Sequence, residues 1–235
     1  MNLKIKTAPF YIKNNFYTYQ TVGYESISLK KEKYYVIVQF DGKSELINFD
    51  RKELLENEFI EFVSSKNQNI KLNCGTCVLL EKEISNHEIT KYFQNFSSIH
   101  KNTYYVDKPW GYEYWITGAF PKNDIVLKYI HIKKGTKTSL QVHQNKYESN
   151  FLVKGKAIFR YSEELFSTKK EYPILEKEIN ASTVIDVAPL NIHQLESKSD
   201  IYLLEASTNH LDDVIRLKDD TGRGDGKIES EHEGN

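Results

Sequence analysis

The sequence predicts an all-β protein, built from many short strands closed into a sandwich or barrel. Short apolar runs rich in β-branched and aromatic residues recur along the chain, separated by turn residues. No long amphipathic helical period interrupts them. Tyr and Phe number 16 and 12 among 235 residues, and side chains of this kind suit half-buried pleated surfaces.

The strands can be read in order. Tyr34 to Phe40 is a strong apolar run, Asp41-Gly42 has the composition of a two-residue hairpin turn, and Ser44 to Phe49 returns. Glu58 to Val63 follows, then a polar turn at Asn67-Gln68-Asn69 and a strand at Ile70 to Leu72. Cys74-Gly-Thr-Cys77 leads into Val78 to Leu80. Lys82 to Ser98 reads as an irregular linker or a short helix. The second half resumes with Val126 to Ile132, a turn at Lys134-Gly135, and Ser139 to His143. Phe151 to Val153 and Ala157 to Tyr161 flank Lys154-Gly155 as a hairpin. Ser182 to Val187 and Ile201 to Ala206 complete the set. The boundaries expected are an N-terminal β domain over 1–100, a second domain over 101–223 and a flexible acidic tail over 224–235. No sequence repeat links the halves, although both fit a β-barrel plan.

Composition removes several function classes. A formal net charge of −1 gives no electrostatic reason for nucleic acid or an anionic membrane as partner. No segment is apolar enough to span a bilayer, and the lysines after Met1 are not followed by the apolar core of a secretory signal. With only two cysteines there is no disulfide framework, so a cytoplasmic location is expected. The C-x-x-C lacks the second pair of a structural zinc site and the βαβ context of a redox motif, and is read as a tight turn.

One stretch stands out chemically. In Ser139-Leu-Gln-Val-His-Gln-Asn145, strand alternation puts Gln141, His143 and Asn145 on one face and Val142 on the other. Glu148 comes within reach if the chain turns, and Pro189-Leu190-Asn191 presents His193 at a strand start. Two imidazoles, a carboxylate and an amide oxygen form a mixed nitrogen–oxygen set suited to a borderline divalent ion. Such an ion can polarise a carbonyl or hydroxyl oxygen. The other histidines, His87, His100, His131, His210 and His232, read as hydrogen-bonded structural or surface groups.

The segment Gly135 to Gly155, with Gln141-Val-His143 and Glu148, resembles the first cupin motif of type II mannose-6-phosphate isomerases. These often form the C-terminal part of mannose-1-phosphate guanylyltransferases. Lys108-Pro-Trp-Gly111, Val187-Ala-Pro-Leu-Asn-Ile-His193 and Asp212 to Arg223 resemble further landmarks in the same order, over about residues 105–223. The resemblance implies a cupin fold, a double-stranded jelly-roll barrel, for that region; strand spacing alone suggests that the N-terminal half is a second, degenerate cupin without metal ligands. Asn145 and Ser149 stand where that family often has histidines. Gln141-Val-His143 also resembles the Gln-x-His pair of type I mannose-6-phosphate isomerases, which bind zinc through Gln, His, Glu and His. The implied ligands are therefore Gln141, His143, Glu148 and His193, with Asn145 behind them. Zn is the first choice of ion, and Fe, Mn, Co and Ni are alternatives. Lys128 is the catalytic candidate, and Lys137 and Arg216 are candidates for binding a sugar phosphate. The implied function is aldose–ketose isomerisation of a mannose-6-phosphate-like substrate, or a related sugar modification in polysaccharide biosynthesis. A non-catalytic sugar or nucleotide-sugar binder, a cupin epimerase and an iron-dependent oxygenase are the other readings. Cupins commonly pair, so a homodimer is compatible with this assignment.

Overall fold

The computed structural model of the chain describes residues 4–7, 11–13, 18–22, 25–46, 53–55, 58–64, 66–73, 76–83, 104–116, 125–167, 171–228 and 230. Among them are strands and turns but no α-helix. No helix of the described residues is long and apolar enough to cross a membrane. The strands are β1 (Lys4–Thr7), β2 (Tyr11–Lys13), β3 (Thr18–Val22), β4 (Glu25–Leu29), β5 (Lys33–Asp41), β6 (Lys43–Leu46), β7 (Glu53–Leu55), β8 (Phe59–Val63), β9 (Gln68–Asn73) and β10 (Thr76–Glu83). After them come β11 (Tyr104–Lys108), β12 (Gly111–Trp115), β13 (Ile125–Ile132), β14 (Leu140–Val142), β15 (Glu148–Lys154), β16 (Lys156–Leu165), β17 (Leu175–Asn180), β18 (Thr183–Val187), β19 (Asn191–Ser197), β20 (Ile201–Thr208) and β21 (Ile215–Lys218).

The chain divides into two compact units. One holds residues 9–102 and 118–121, the other residues 1–8, 103–117 and 122–235. The N-terminal unit has sheets in the order β2-β3-β10-β5-β8 and β4-β9-β6-β7. The C-terminal unit has β1-β18-β15-β20-β13-β12-β11 and β17-β16-β19-β14-β21. Counting β3–β10 and β13–β20 as two runs of eight strands, the order is the same in both. The first, eighth, third and sixth strands make one sheet, and the second, seventh, fourth and fifth make the other. This is the double-sheet jelly roll, and it confirms the expected cupin plan in each half.

Each unit encloses its own core. In the N-terminal unit Ile27, Leu29, Tyr35, Ile37, Leu54, Ile60, Phe62, Cys77 and Leu79 pack together. In the C-terminal unit Trp110, Ile130, Ile132, Leu152, Phe159, Ile185, Val187, Leu195 and Leu203 are among those that do so. Burying each such side chain contributes roughly 1.5–3 kcal/mol, so the closed sheets are held by their inward faces.

Several expectations need correction. Asp41-Gly42 and Lys154-Gly155 are not hairpins, because β5 and β6, like β15 and β16, lie in different sheets. Each glycine has positive φ, at 71° and 97°, and turns the chain from one sheet into the other. At Gly155 a Cβ would lie 2.4 Å from the Asp200 carbonyl oxygen, so the corner admits no side chain. The composition of a tight turn is the same in both settings; only the core on both sides decides between them. The division does not follow one boundary near residue 100: residues 118–121 group with the first unit, and Lys4 to Thr7 pair with Asp186 to Thr183 of β18 in the second. The expected free tail does not begin at 224. Gly226 N–H donates to the Val214 carbonyl at 2.8 Å, and the Arg216 guanidinium donates to the Gly224 and Gly226 carbonyls. Residue 229 and residues 231–235, the linker reading for residues 84–98, Cys74, His87, His100 and His232 lie outside the described residues.

Candidate metal centre

Three strands of the C-terminal unit converge on one cluster. Gln141 on β14 is the register partner of His193 on β19. Val142 is fully buried on the opposite side, as alternation requires. β14 then ends, and residues 143–147 form the link to β15, whose first residue is Glu148. His143, Glu148 and His193 each offer a ligand atom, and these atoms lie within 4.8 Å of one another. All three side chains are buried.

The link is held from the far end of the chain. The Asp213 carboxylate accepts the backbone N–H groups of Gln144, Asn145 and Lys146 at 2.9, 2.5 and 2.8 Å. Burial would raise the Asp213 carboxyl, but these donors hold it below its ordinary value. Its backbone carbonyl also accepts from His143 Nδ1. Leu190, with a positive φ of 66°, donates its N–H to the His143 carbonyl at 2.7 Å. A non-glycine residue in that conformation stores strain, and here it closes the turn beside His193.

These contacts fix the imidazoles. His143 Nδ1 donates to Asp213 and His193 Nδ1 to the Asn191 carbonyl at 3.1 Å, so both Nε2 atoms present lone pairs. They face one carboxylate: His143 Nε2 lies 3.4 Å from Glu148 Oε2, and His193 Nε2 lies 3.1 Å from Oε1. His143 Nε2 is buried without a hydrogen-bond partner. Burial, with the Lys146 charge beside it, pushes this imidazole below its ordinary value and favours the neutral ligand form. Three electron-rich groups turned toward one another are what a bound cation would relieve, so these residues fit a divalent ion. Gln141 stands next to them, its Nε2 3.4 Å from His193 Nε2 and its Oε1 accepting from Ser139 Oγ at 2.7 Å. Half a turn of the amide would aim its oxygen at the cluster, because the Ser139 hydroxyl can accept as well as donate.

A buried charge network adjoins the cluster. Lys146 Nζ donates to Glu148 Oε2 at 2.8 Å and to Glu205 Oε1 at 2.9 Å. Lys128 Nζ lies 3.8 Å from the same Glu205 oxygen, 3.3 Å from Glu113 and 4.3 Å above the Trp115 ring. Burial alone would raise the Glu148 carboxyl, but the Lys146 ammonium beside it holds it well below the usual range. Asn150 Nδ2 also donates to Glu148 Oε1 at 3.0 Å.

Of the residues singled out from sequence, Gln141, His143, Glu148, His193 and Lys128 line one cavity, and Arg216 lines it too. Asn145 does not join them. β14 has ended before it, and its side chain is exposed. Ser149 turns away from Glu148 to bond Asp186, so a histidine there would not face the cluster. Lys137 is outside the lining and pairs with Asp220 at 2.7 Å. Lys146, Glu205, Glu113 and Asp213 were not anticipated. Period-two counting back from Glu148 reaches Lys146, and forward along β20 from Ile201 and Leu203 it reaches Glu205. A lone carboxylate at an inward position of an apolar strand was the available signal. Among the expected structural histidines, His131 packs between Tyr112 and Tyr202, and His210 bonds Thr208 at 3.0 Å.

No family model matches the chain. Mannose-1-phosphate guanylyltransferase of Salmonella muenchen is 25% identical over 170 residues, which is 71% of this chain and 34% of that protein. The chain thus spans about a third of the length of the curated relative it matches. A structure of Bacillus subtilis oxalate decarboxylase, concerned with its Mn(II) centres, matches with a TM-score of 0.56 at 12% identity, covering 91% of this chain and 79% of that one. The formate complex of Lactobacillus farciminis oxalate decarboxylase matches with 0.54 at 12% identity, covering 91% and 88%. At such identities the likeness speaks for fold alone, and it agrees with the strand order. The chain is a cupin-fold protein with two cupin units, the second of which carries a His–Glu–His cluster able to hold a metal ion.

Proposed function

We propose that the C-terminal cupin is a metal-dependent enzyme acting on a phosphorylated sugar, with aldose–ketose isomerisation of a mannose-6-phosphate-like substrate as its reaction. The observation that carries this reading is the His143–Glu148–His193 cluster opening into a cavity whose charged lining is mostly basic. Lys108, Lys128, Lys146, Arg216, Arg223 and Lys227 line it against Glu113, Glu148 and Glu205. An excess of cations at a cavity suits an anionic substrate, and phosphate takes charge-assisted hydrogen bonds well.

Gln141, His143, Glu148 and His193 would hold the ion, which when bound supplies Lewis-acid polarisation of the sugar oxygens. Lys128, facing the same cavity between Glu113 and Glu205, is the residue proposed to carry the proton between adjacent carbons. Arg216 is the proposed phosphate contact. The weak guanylyltransferase match supports sugar-phosphate chemistry, and zinc remains the proposed ion, with manganese, iron, cobalt and nickel next.

The test is elemental analysis of protein purified without added metal, followed by NMR observation of mannose 6-phosphate and fructose 6-phosphate interconversion. A bound divalent ion with turnover that chelation abolishes is the expected result. Turnover that survives complete metal removal sinks the mechanism. The second reading, a non-catalytic binder of a sugar or nucleotide sugar, is favoured by one observation: Lys146 already neutralises Glu148. Tight sugar binding without turnover in the metal-loaded protein would select it.

A further inference from the structure

We propose that Lys146 is a built-in competitor of the metal ion for Glu148, and that Glu205 is the seat to which its ammonium withdraws when the ion is bound. This inference rests on the metal reading above.

Lys146 is buried, and its Nζ holds the Glu148 oxygen nearest His143 Nε2. A dication bound to that oxygen would share it with the ammonium and face it within roughly 5 Å, where like charges in a poorly hydrated site repel strongly. Without the ion, the lysine is what keeps Glu148 from being a buried and uncompensated carboxylate. With the ion, that duty passes to the metal, and Lys146 needs another partner. Glu205 Oε1 is already 2.9 Å from Nζ, so only a small side-chain rotation exchanges a shared ammonium for one held by Glu205 alone. Both buried carboxylates then stay neutralised in both states. Lys128, 3.8 Å from the same Glu205 oxygen, belongs to the network but does not contact Glu148.

The experiment measures zinc and manganese affinity of the full chain by competition with a chromophoric chelator. Lys146→Met removes the competitor and should tighten binding about tenfold, a change of the size that groups adjoining metal ligands produce. Glu205→Gln removes the alternative seat, leaves Lys146 on Glu148 and should weaken binding about tenfold. Glu113→Gln, at a carboxylate that pairs with Lys128 and Trp115, and Lys137→Ala, at a lysine outside the cavity, change charge without touching the exchange and should stay within about threefold of the parent. Opposite shifts in the first two variants, with small ones in the controls, are expected. Lys146→Met binding metal no more tightly than the parent overturns the proposal, as do controls that move as far as the test variants. Should Lys146→Met fail to fold, an unchanged affinity in Glu205→Gln overturns it. Absence of metal binding in the parent and in Lys146→Met removes the metal reading as well, which distinguishes the two failures.

Discussion

The two cupin units share a strand order and differ in what fills it. In the C-terminal unit the register pair Gln141 and His193, then His143 two residues on, points polar atoms inward. In the N-terminal unit β4 and β9 occupy the same places, and Ile27 and Leu29 lie in the apolar core, with Tyr35 and Ile37 of β5 beside them. The links between these strands also differ. Residues 30–32 suffice in the N-terminal unit, with Glu32 at a positive φ of 61°, whereas residues 143–147 are used in the other. The longer link carries His143 and Lys146 and is the part that Asp213 pins. The jelly roll therefore sets where a site can be, while the link and the inward polar residues decide whether there is one.

The largest expected effect would break the contrast outright. Glu148→Gln should lower metal affinity more than about a hundredfold, because the set loses its anionic ligand. Isothermal titration with zinc reads this out, and an unchanged affinity would move the site elsewhere. Ile37→Ala tests the other side of the comparison. It should cost about 2–5 kcal/mol in denaturant unfolding of the N-terminal unit, because a filled core loses volume, and should leave metal affinity unaltered. A metal effect there would mean that the two interiors are coupled. Asp213→Ala should weaken metal binding about tenfold by freeing the link, with Asp213→Asn recovering part of it, since one amide oxygen still accepts. Titration of the metal-free protein sharpens the contrast in solution. His143, Glu148 and Asp213 have depressed values when folded, so their contribution is present above the unfolded values and is lost as pH falls through the folded ones. The C-terminal unit should begin to lose stability as pH drops below about 6.5, where unfolded His143 takes its proton, and lose more below about 4.5 as Glu148 does. Chemical-shift titration that shows the N-terminal unit yielding first would contradict this. The smallest effect belongs to Lys137→Ala, which should leave turnover within about twofold, as expected for an exposed ion pair. A larger loss would return Lys137 to the phosphate site.

Much of this was legible in the sequence. The long strands announced themselves because the runs Tyr34 to Phe40 and Val126 to Ile132 are rich in β-branched and aromatic residues, which favour strands. The candidate ligands were legible because alternation puts Gln141 and His143 on one face, and because the segments that carry His143, Glu148 and His193 resemble cupin motifs. What was hidden depends on contacts far along the chain. β17, Leu-Glu-Lys-Glu-Ile-Asn, buries only Ile179 and is a strand by virtue of its pairing with β16. The placement of Asn145 follows from where β14 stops, and Asp213, 68 residues after Asn145, holds the link beyond that stop. The shared strand order of the halves left no repeated motif, because an apolar interior and a ligating one need different residues at the same positions.

The pairing of β1 with β18 bears on how the protein can be cut. The segment Lys4 to Thr7 covers the outer row of peptide groups on β18, more than 170 residues away in the sequence. A fragment beginning near residue 103 would keep every candidate ligand and still expose a bare strand edge over Thr183 to Asp186. Such edges recruit other chains, so that fragment would be prone to self-association unless the first eight residues were fused back onto it.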